Sequence, residues 1–454
     1  MRMRCRFAYA FVFFTVMCIA SSAFAQVGVS QENKAAALNN QGLRLFASGQ
    51  TDSAIMLYKE ALAIDPNYRE ALSNLGLAFD KEGKEEEALA ALQKAADIQA
   101  DPQTQTNLGL VYFHAGRFED SVAAYRAALA HTPQNLAAWN GLGAALYKQG
   151  KVDDALSAYK KALDIDPHET DVMNNFGVAL DQQKQYTAAI AVYEAALGVN
   201  PKVADLWQNL GTAYADSGDA DNAIQAYLKC TNLRPKNANA WFQLGRLYAR
   251  KQEFDDAISS FEKSASLDAN EPETFINLGA AYSAKQQFPQ AVTSYEKALA
   301  LKPNEATTLA ALGNSYEMQG RYADSIKAYQ TALTLRPDFA MVLYNLGVAQ
   351  ERTGDLGDAI ASFQKYEKFQ PDDIRGPFEL GNSYFNKGQY SLAVDSYRAA
   401  IALNPNSALP HYNLGQALER LGDTAAAQAE LDKAHKLDPK IGVSFAAPKA
   451  SKNQ

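Results

Sequence analysis

Cysteine and histidine are scarce in this sequence. Of its 454 residues, 3 are cysteine and 5 are histidine. Because Cys5 and Cys18 lie within the first 25 residues, Cys230 is the single thiol in the rest of the chain, where no intramolecular disulfide can form. We expect Cys230 to be a packed, inert side chain. No histidine has a second ligand at a metal-binding spacing, so the sequence predicts neither a metal site nor a cofactor.

Catalytic motifs and basic charge are also missing. The sequence has no Walker loop and no nucleophile elbow, and its formal net charge is -8, which argues against nucleic-acid partners. Acidic pairs such as Asp153-Asp154 fit the first turns of helices, where carboxylates accept from free N–H groups, better than they fit acid–base chemistry. We therefore predict that the chain is not an enzyme.

The only long apolar run lies near the N-terminus and is short for a membrane span. Three arginines precede it, and Ala23-Phe24-Ala25 follows it with the small residues that signal peptidase accepts. We predict a signal peptide over 1–25, a mature chain that begins at Gln26, and an exported protein that is periplasmic or secreted, with no stable membrane span after cleavage. An uncleaved membrane anchor is the alternative.

What the sequence has in abundance is periodicity. Glycine recurs at intervals of 34 residues, one of them shortened to 33. The glycines are Gly42, Gly76, Gly109, Gly143, Gly177, Gly211, Gly245, Gly279, Gly313, Gly347, Gly381 and Gly415. Twelve positions after each glycine stands a small residue, and sixteen positions after it stands an aromatic residue or leucine. Proline stands 24 positions after most of the glycines.

Each period predicts a helical hairpin. Apolar residues recur at helical spacing on both sides of a polar turn, and that turn usually contains a second glycine, which suits a left-handed C-cap. The proline cannot continue a helix, so it directs the chain into the next hairpin. We call the first helix of each repeat helix A and the second helix B. Each hairpin must hide an apolar face against its neighbours, so stability is collective.

The run Trp207-x-x-Leu210-Gly211-x-x-Tyr214, with Ala223, Tyr227 and Pro235, closely resembles the tetratricopeptide repeat (TPR). The resemblance implies an all-α fold, a right-handed TPR superhelix or α-solenoid of about twelve repeats over residues 35–441. A short segment, 26–34, would precede it and a disordered tail, 442–454, would follow. At Asp101-Pro102, where one residue is lost, and at Ala269, which replaces a proline, the sequence leaves the helical pitch open.

In TPR arrays helix A lines the concave side, and the residue two before the repeat glycine points into the groove. We call this the ladder position. Eight of its twelve residues are asparagine: Asn40, Asn74, Asn107, Asn175, Asn209, Asn277, Asn345 and Asn413. The pattern resembles the asparagine ladder in the TPR arm of O-GlcNAc transferase, which implies binding to the backbone of an extended peptide. The alternative is that these side chains bridge adjacent A helices.

A second group of candidate binding residues gathers in repeats 10 to 12. These are the rings and guanidinium groups that commonly dominate interface energetics: Tyr344, Arg352, Arg375, Phe378, Phe385, Tyr412 and Arg420. We predict that they anchor a bound segment. The alternative is that the rings cover neighbouring helices. The TPR clamp for acidic C-termini is not expected, because Ala310 and Glu379 stand where cations are needed.

These features predict a non-enzymatic scaffold of the cell envelope that binds protein or peptide partners in the TPR groove. Two other functions stay open. The chain could be the regulatory or substrate-recruiting subunit of a separately encoded enzyme, such as a glycosyltransferase, or a spacer that binds through its ends.

Overall fold

All regular structure in the described residues is helical. The computed structural model describes residues 31–442, and the chain divides into two compact units, Met1–Pro235 and Lys236–Gln454. We refer to them as the N-terminal and the C-terminal unit. The predicted signal segment and residues 443–454 of the predicted tail lie outside the described residues. The all-α repeat fold is confirmed.

The N-terminal unit contains six hairpins, in which odd-numbered helices are helix A and even-numbered helices are helix B. They are α1 (Gln31–Ala47), α2 (Thr51–Ile64), α3 (Arg69–Lys81), α4 (Glu85–Ile98), α5 (Pro102–His114), α6 (Phe118–His131), α7 (Leu136–Lys148), α8 (Val152–Ile165), α9 (Thr170–Gln182), α10 (Tyr186–Val199), α11 (Ala204–Ser217) and α12 (Ala220–Leu233).

The C-terminal unit contains six more hairpins of the same kind. They are α13 (Ala238–Arg250), α14 (Phe254–Leu267), α15 (Pro272–Ala284), α16 (Phe288–Leu301), α17 (Ala306–Glu317), α18 (Tyr322–Leu335), α19 (Ala340–Thr353), α20 (Leu356–Phe369), α21 (Arg375–Asn386), α22 (Tyr390–Leu403), α23 (Ala408–Leu421) and α24 (Thr424–Leu437).

The repeat glycine is where helices A and B approach most closely. A Cβ atom built on Gly143 would stand 2.6 Å from the Tyr159 ring, and one on Gly381 would stand 2.4 Å from the Tyr397 ring. Both tyrosines are almost completely buried. Any side chain at these glycines would overlap the ring, so the spacing of glycine and ring in the sequence reflects direct contact.

The turns between helices A and B explain the second glycine. Nine of these turns hold a glycine at positive φ, for example Gly150 at 77°. The other three turns hold a residue with a Cβ in the same left-handed conformation: Lys184, Gln252 and Gln286, at φ between 59° and 63°. Because a Cβ makes this conformation unfavourable, these three turns are locally strained.

Successive hairpins are also joined through the proline turn. The indole nitrogen of Trp139 donates to the carbonyl of Pro133 at 2.8 Å, and that of Trp207 donates to the carbonyl of Pro201 at 2.9 Å.

Cys230 is fully buried in α12, as expected for a packed thiol. No helix within residues 31–442 is both long enough and apolar enough to cross a bilayer.

Candidate protein-binding face

One side of each helix A carries the ladder position. Successive residues of an α-helix are 100° apart, so three positions share one face of helix A: three residues before the repeat glycine, two residues before it and one residue after it. We call this side the ladder face. The residues that stand four before, one before and three after the same glycine lie on the opposite side of the helix. The polar residues of the ladder face are the ones that the sequence assigned to partner binding.

In the N-terminal unit, the ladder asparagines are bonded from repeat to repeat. Four of the five donate a side-chain N–H to the side chain that lies three residues before the glycine of the preceding repeat. The bonds run from Asn74 to Asn39 at 2.8 Å, Asn107 to Ser73 at 2.9 Å, Asn175 to Asn140 at 3.0 Å, and Asn209 to Asn174 at 2.7 Å. The alternative expectation, that ladder residues bridge adjacent A helices, therefore describes these four.

The ladder of this unit has one gap. Gly141 holds the ladder position of repeat 4, and a Cβ there would stand 2.2 Å from the Tyr125 ring of the preceding repeat. The ring thus occupies the space that a carboxamide would need.

The exposure of the asparagines also varies, since Asn40 is exposed whereas Asn107 is only 7% exposed.

In the C-terminal unit, the bonding partner changes. Asn345 donates to Asn314 and Asn413 donates to Asn382, both at 2.9 Å. These acceptors stand one residue after the repeat glycine, one helical turn beyond the acceptor position of the N-terminal unit. Asn277 instead donates to the Glu273 carbonyl of its own helix at 2.8 Å.

The acceptors of the C-terminal unit also hold buried tyrosines. Tyr329 donates its hydroxyl to Asn314, and Tyr397 donates to Asn382 at 2.9 Å. Each of these asparagines therefore joins helix B of its own repeat to helix A of the next. The sequence reasoning did not identify these acceptors, nor Asn140 and Asn174. The available signal was asparagine recurring immediately before the ladder position or three residues after it.

Two of the predicted anchors form one cluster. The Arg375 guanidinium lies 5.2 Å from the centre of the Tyr344 ring and pairs with Asp373 at 2.6 Å. The hydrogen bonds from Arg375 hold the pKa of Asp373 well below its usual range. The Tyr344 hydroxyl donates to Glu379 at 3.2 Å, so the ladder position of repeat 11 accepts a bond instead of donating one.

The other predicted anchors contact their neighbours separately. The Arg420 guanidinium lies 5.8 Å from the centre of the Phe385 ring, and the Phe378 ring lies 6.1 Å from that of Tyr397. Phe378 and Phe385 are half-buried against the core of repeats 11 and 12, which is the packing role named as the alternative. Tyr412 is half-buried and Arg352 is exposed.

A carboxyl group with an altered pKa borders the ladder face of repeat 5. The pKa of Asp181 is raised from 3.8 to about 6, mainly by burial; the hydrogen bond from Tyr193 at 2.9 Å opposes the rise and the charge of Asp216 adds to it. In repeat 10, burial likewise raises the pKa of Glu351. No three His, Cys, Asp or Glu side chains within the described part of the chain converge as metal ligands would.

Family models of the tetratricopeptide repeat match much of the chain. They match residues 42–83, 70–102, 109–150, 310–374, 381–422 and 408–441. A model described as the C-terminal domain of cilia and flagella-associated protein 70 matches residues 130–341. No curated protein matches the chain.

Similar solved structures include three that each align with part of this chain. MamA is 28% identical over 36% of this chain and 95% of its own, with a TM-score of 0.35. PilF of Pseudomonas aeruginosa is 20% identical over 45% and 94%, with a TM-score of 0.41. The C-terminal part of a TPR repeat-containing protein from Cytophaga hutchinsonii is 16% identical over 55% and 99%, with a TM-score of 0.47.

Proposed function

We propose that this chain, which belongs to the tetratricopeptide repeat family, is a non-enzymatic scaffold that binds extended polypeptide segments along its ladder face. TPR proteins bind protein partners and are generally non-catalytic. The finer proposal concerns which surface binds, and what kind of segment it holds. The observation that carries it is the arrangement of the ladder carboxamides.

The ladder bonds orient the carboxamides but leave part of their hydrogen-bonding capacity unused. A carboxamide has two N–H donors and two acceptor lone pairs. The bond from Asn209 to Asn174, for example, uses one N–H of Asn209. Its second N–H and its carbonyl oxygen can pair with the N–H and C=O groups of an extended backbone. Such pairing does not depend on the side chains of the partner, so the ladder suits segments of varied sequence.

We further propose that repeats 10 to 12 anchor the bound segment. Tyr344, Phe378 and Tyr412 are partly exposed rings immediately before the ladder position, and exposed guanidinium groups accompany them. In this proposal the contacts between Arg375 and Tyr344, and between Arg420 and Phe385, hold the anchors in place for a partner. Held side chains lose less conformational entropy on binding.

The proposed location is the cell envelope, on the evidence of the N-terminal sequence. Arginines, an apolar run and Ala23-Phe24-Ala25 have the order of a signal peptide. Sequencing of the N-terminus of the purified native protein tests this proposal. A chain that begins at Gln26 supports export by cleavage, whereas recovery of residues 1–25 contradicts it.

The binding proposal is tested by crosslinking and pull-down from envelope extract, followed by affinity measurements with the recovered segment. The ladder variant carries Asn175→Ala and Asn209→Ala. The matched control is Asn232→Ala, which removes an exposed asparagine from a helix B. We expect the ladder variant to bind about tenfold more weakly and the control to bind as the parent does. Equal binding by all three, with the folds verified by circular dichroism, contradicts a role for the ladder.

The anchor proposal uses a separate set of variants. Phe378→Ala, Tyr412→Ala and Arg420→Ala are each expected to weaken binding of the same segment by about tenfold. Binding within about twofold of the parent by all three variants would show that these side chains do not anchor the segment. The ladder proposal would stand in that case.

A further inference from the structure

A cavity of about 510 Å³ lies away from the ladder face, between helices α14, α15 and α16 of the C-terminal unit. Its floor contains Phe275, Leu278 and Tyr282, whose spacing of three and four residues puts them on one side of α15. Asn277, the ladder residue of this repeat, lies on the other side of the same helix. The cavity is therefore separate from the surface to which we assign the polypeptide partner.

The cavity lies where this repeat departs from most of the others. Ala265 lines it, 20 residues after the repeat glycine, where six other repeats carry leucine: Leu62, Leu129, Leu163, Leu197, Leu299 and Leu333. Ala269 also lines it and stands where most repeats carry proline. Two short side chains at one junction thus stand in the places that leucine and proline hold in those six repeats.

The charge of the lining is asymmetric. The Lys297 ammonium lies 5.6 Å from the centre of the Phe275 ring, over the floor of the cavity. It forms no ion pair within 4 Å with any described residue. The acidic lining residue, Glu262, accepts the hydroxyl of Tyr282 at 2.5 Å. Gln290 adds amide donors at the edge. The cavity thus offers a mainly apolar floor, with a cation and amide donors on the α16 side and a carboxylate that already accepts a hydroxyl on the α14 side.

We propose that this cavity binds a ligand with an apolar body and a carboxylate. The apolar body lies over Phe275 and Leu278 in the space next to Ala265, and the carboxylate pairs with Lys297 and accepts from Gln290. The volume is within the range of small-molecule sites in proteins, and a few polar groups around an apolar floor are typical of such sites. The ion pair gives the site its preference for an acid over an amine.

Two kinds of ligand carry an apolar body and a carboxylate: a free carboxylic acid, and the C-terminus of a polypeptide that ends in an apolar residue. The first probe is 4-phenylbutyrate, compared with 4-phenylbutylamine, which has a similar body and the opposite charge. The second is N-acetyl-Ala-Ala-Phe with a free C-terminus, compared with its amide. Isothermal titration calorimetry with the full mature chain measures all four. Binding of 4-phenylbutyrate alone points to a free acid, and tighter binding of the peptide acid points to a C-terminus.

Three variants test the placement. Ala265→Leu restores the side chain that six other repeats carry, and is expected to weaken 4-phenylbutyrate binding at least about tenfold. Lys297→Gln, at an exposed position, is expected to cause a similar loss and to abolish the preference for acid over amine. Lys297→Arg keeps the charge and is expected to bind within about threefold of the parent.

The proposal is overturned by any of three results. The first is a parent chain that binds neither acid at concentrations up to about 10 mM. The second is a parent chain that binds acid and amine equally. The third is a folded Ala265→Leu chain that binds as tightly as the parent. Because Lys297→Gln does not alter the core, it tests the charge independently of how Ala265→Leu folds.

Discussion

The two units use the same ladder position with different partners. In the N-terminal unit the acceptor is the residue three before the preceding glycine, for example Asn174 for Asn209. In the C-terminal unit the acceptor stands one helical turn further along, as Asn382 does for Asn413. The residues three before the glycine are polar throughout the N-terminal unit, but in the C-terminal unit they are apolar or aromatic.

In repeat 11 a ring at that position goes with a polar contact displaced by one turn, whereas in repeat 7, where Phe242 holds the position, Asn277 of the next repeat bonds within its own helix. Phe378 occupies the place of an acceptor in repeat 11, and Asn382, four residues later on the same face, accepts instead. Repeats 10 to 12 thereby present rings on the ladder face, and Asn345 and Asn413 keep their bonds to the preceding repeat. At the ladder position and the position before it, the N-terminal unit has carboxamides, hydroxyl groups and one glycine.

The largest effect is expected when the gap in each ladder is filled. Gly141→Asn in the N-terminal unit would force a side chain into the Tyr125 ring, and we expect it to lower the free energy of unfolding by about 2–3 kcal/mol. Ala311→Asn in the C-terminal unit replaces a residue that already has a Cβ and is only half-buried. We expect it to change stability by at most about 0.5 kcal/mol.

Native-state hydrogen exchange, which resolves individual repeats, measures both variants. Equal costs for Gly141→Asn and Ala311→Asn would show that the Tyr125 ring moves away easily, and that the two gaps do not differ.

Removal of an acceptor should cost more in the C-terminal unit. Asn382→Ala deprives both Asn413 and the buried Tyr397 hydroxyl of their acceptor, and we expect a loss of about 2 kcal/mol. Asn174→Ala deprives only Asn209, and we expect about 1 kcal/mol. Hydrogen exchange at helices α22 and α10 reports the two losses. A larger loss for Asn174→Ala would reverse the comparison.

The pH dependence of stability should differ between the units as well. Because the pKa of Asp181 is raised to about 6, the folded chain binds this proton more tightly than the unfolded chain. Its stability therefore falls as the pH rises from about 4 to about 6. Allowing for the solvent exposure of this carboxyl group, we expect Asp181→Asn to add about 1 kcal/mol at pH 7 and to flatten this slope.

Glu351→Gln in the C-terminal unit is the matched variant. Burial and, to a lesser extent, the charge of Glu379 raise the pKa of Glu351, but the hydrogen bond from Ser383 and the charge of Arg352 oppose that rise, so we expect a smaller gain. Denaturant titrations at pH 4, 5, 6 and 7 measure both variants. If the stability of the Asp181→Asn chain falls with pH as steeply as that of the parent, the pH dependence arises from another group.

The smallest effects are expected at the three strained turns. Lys184→Gly in the N-terminal unit, and Gln252→Gly and Gln286→Gly in the C-terminal unit, relieve a positive φ. Glycine also increases the freedom of the unfolded chain, so we expect a net gain of only about 0.5 kcal/mol for each. Thermal melts of the single and triple variants measure it. Destabilisation by the triple variant would mean that these side chains make contacts that outweigh the strain.

The hairpins could be predicted from the sequence because the effects of the repeat glycine, the ring and the proline are local. Each determines the structure within its own repeat or at the next residue along the chain. Gly143 requires the space beside Tyr159, and that requirement is visible as a fixed spacing. The direction of the ladder bonds was not predictable in this way. Whether Asn413 reaches position 378 or position 382 depends on the ring at 378 and on how two helices are aligned, which no spacing within one repeat specifies.

The ladder bonds also limit how such an array can lengthen or shorten. In the N-terminal unit, repeat 5 carries both a donor, Asn175, and an acceptor, Asn174. A duplication of that single repeat would preserve every bond. In the C-terminal unit the acceptors Asn314 and Asn382 belong to repeats 9 and 11, and their donors belong to repeats 10 and 12. In repeats 9 to 12 the asparagine bonds therefore occur in pairs of repeats, and a gene duplication or deletion there would conserve these bonds only in steps of two repeats.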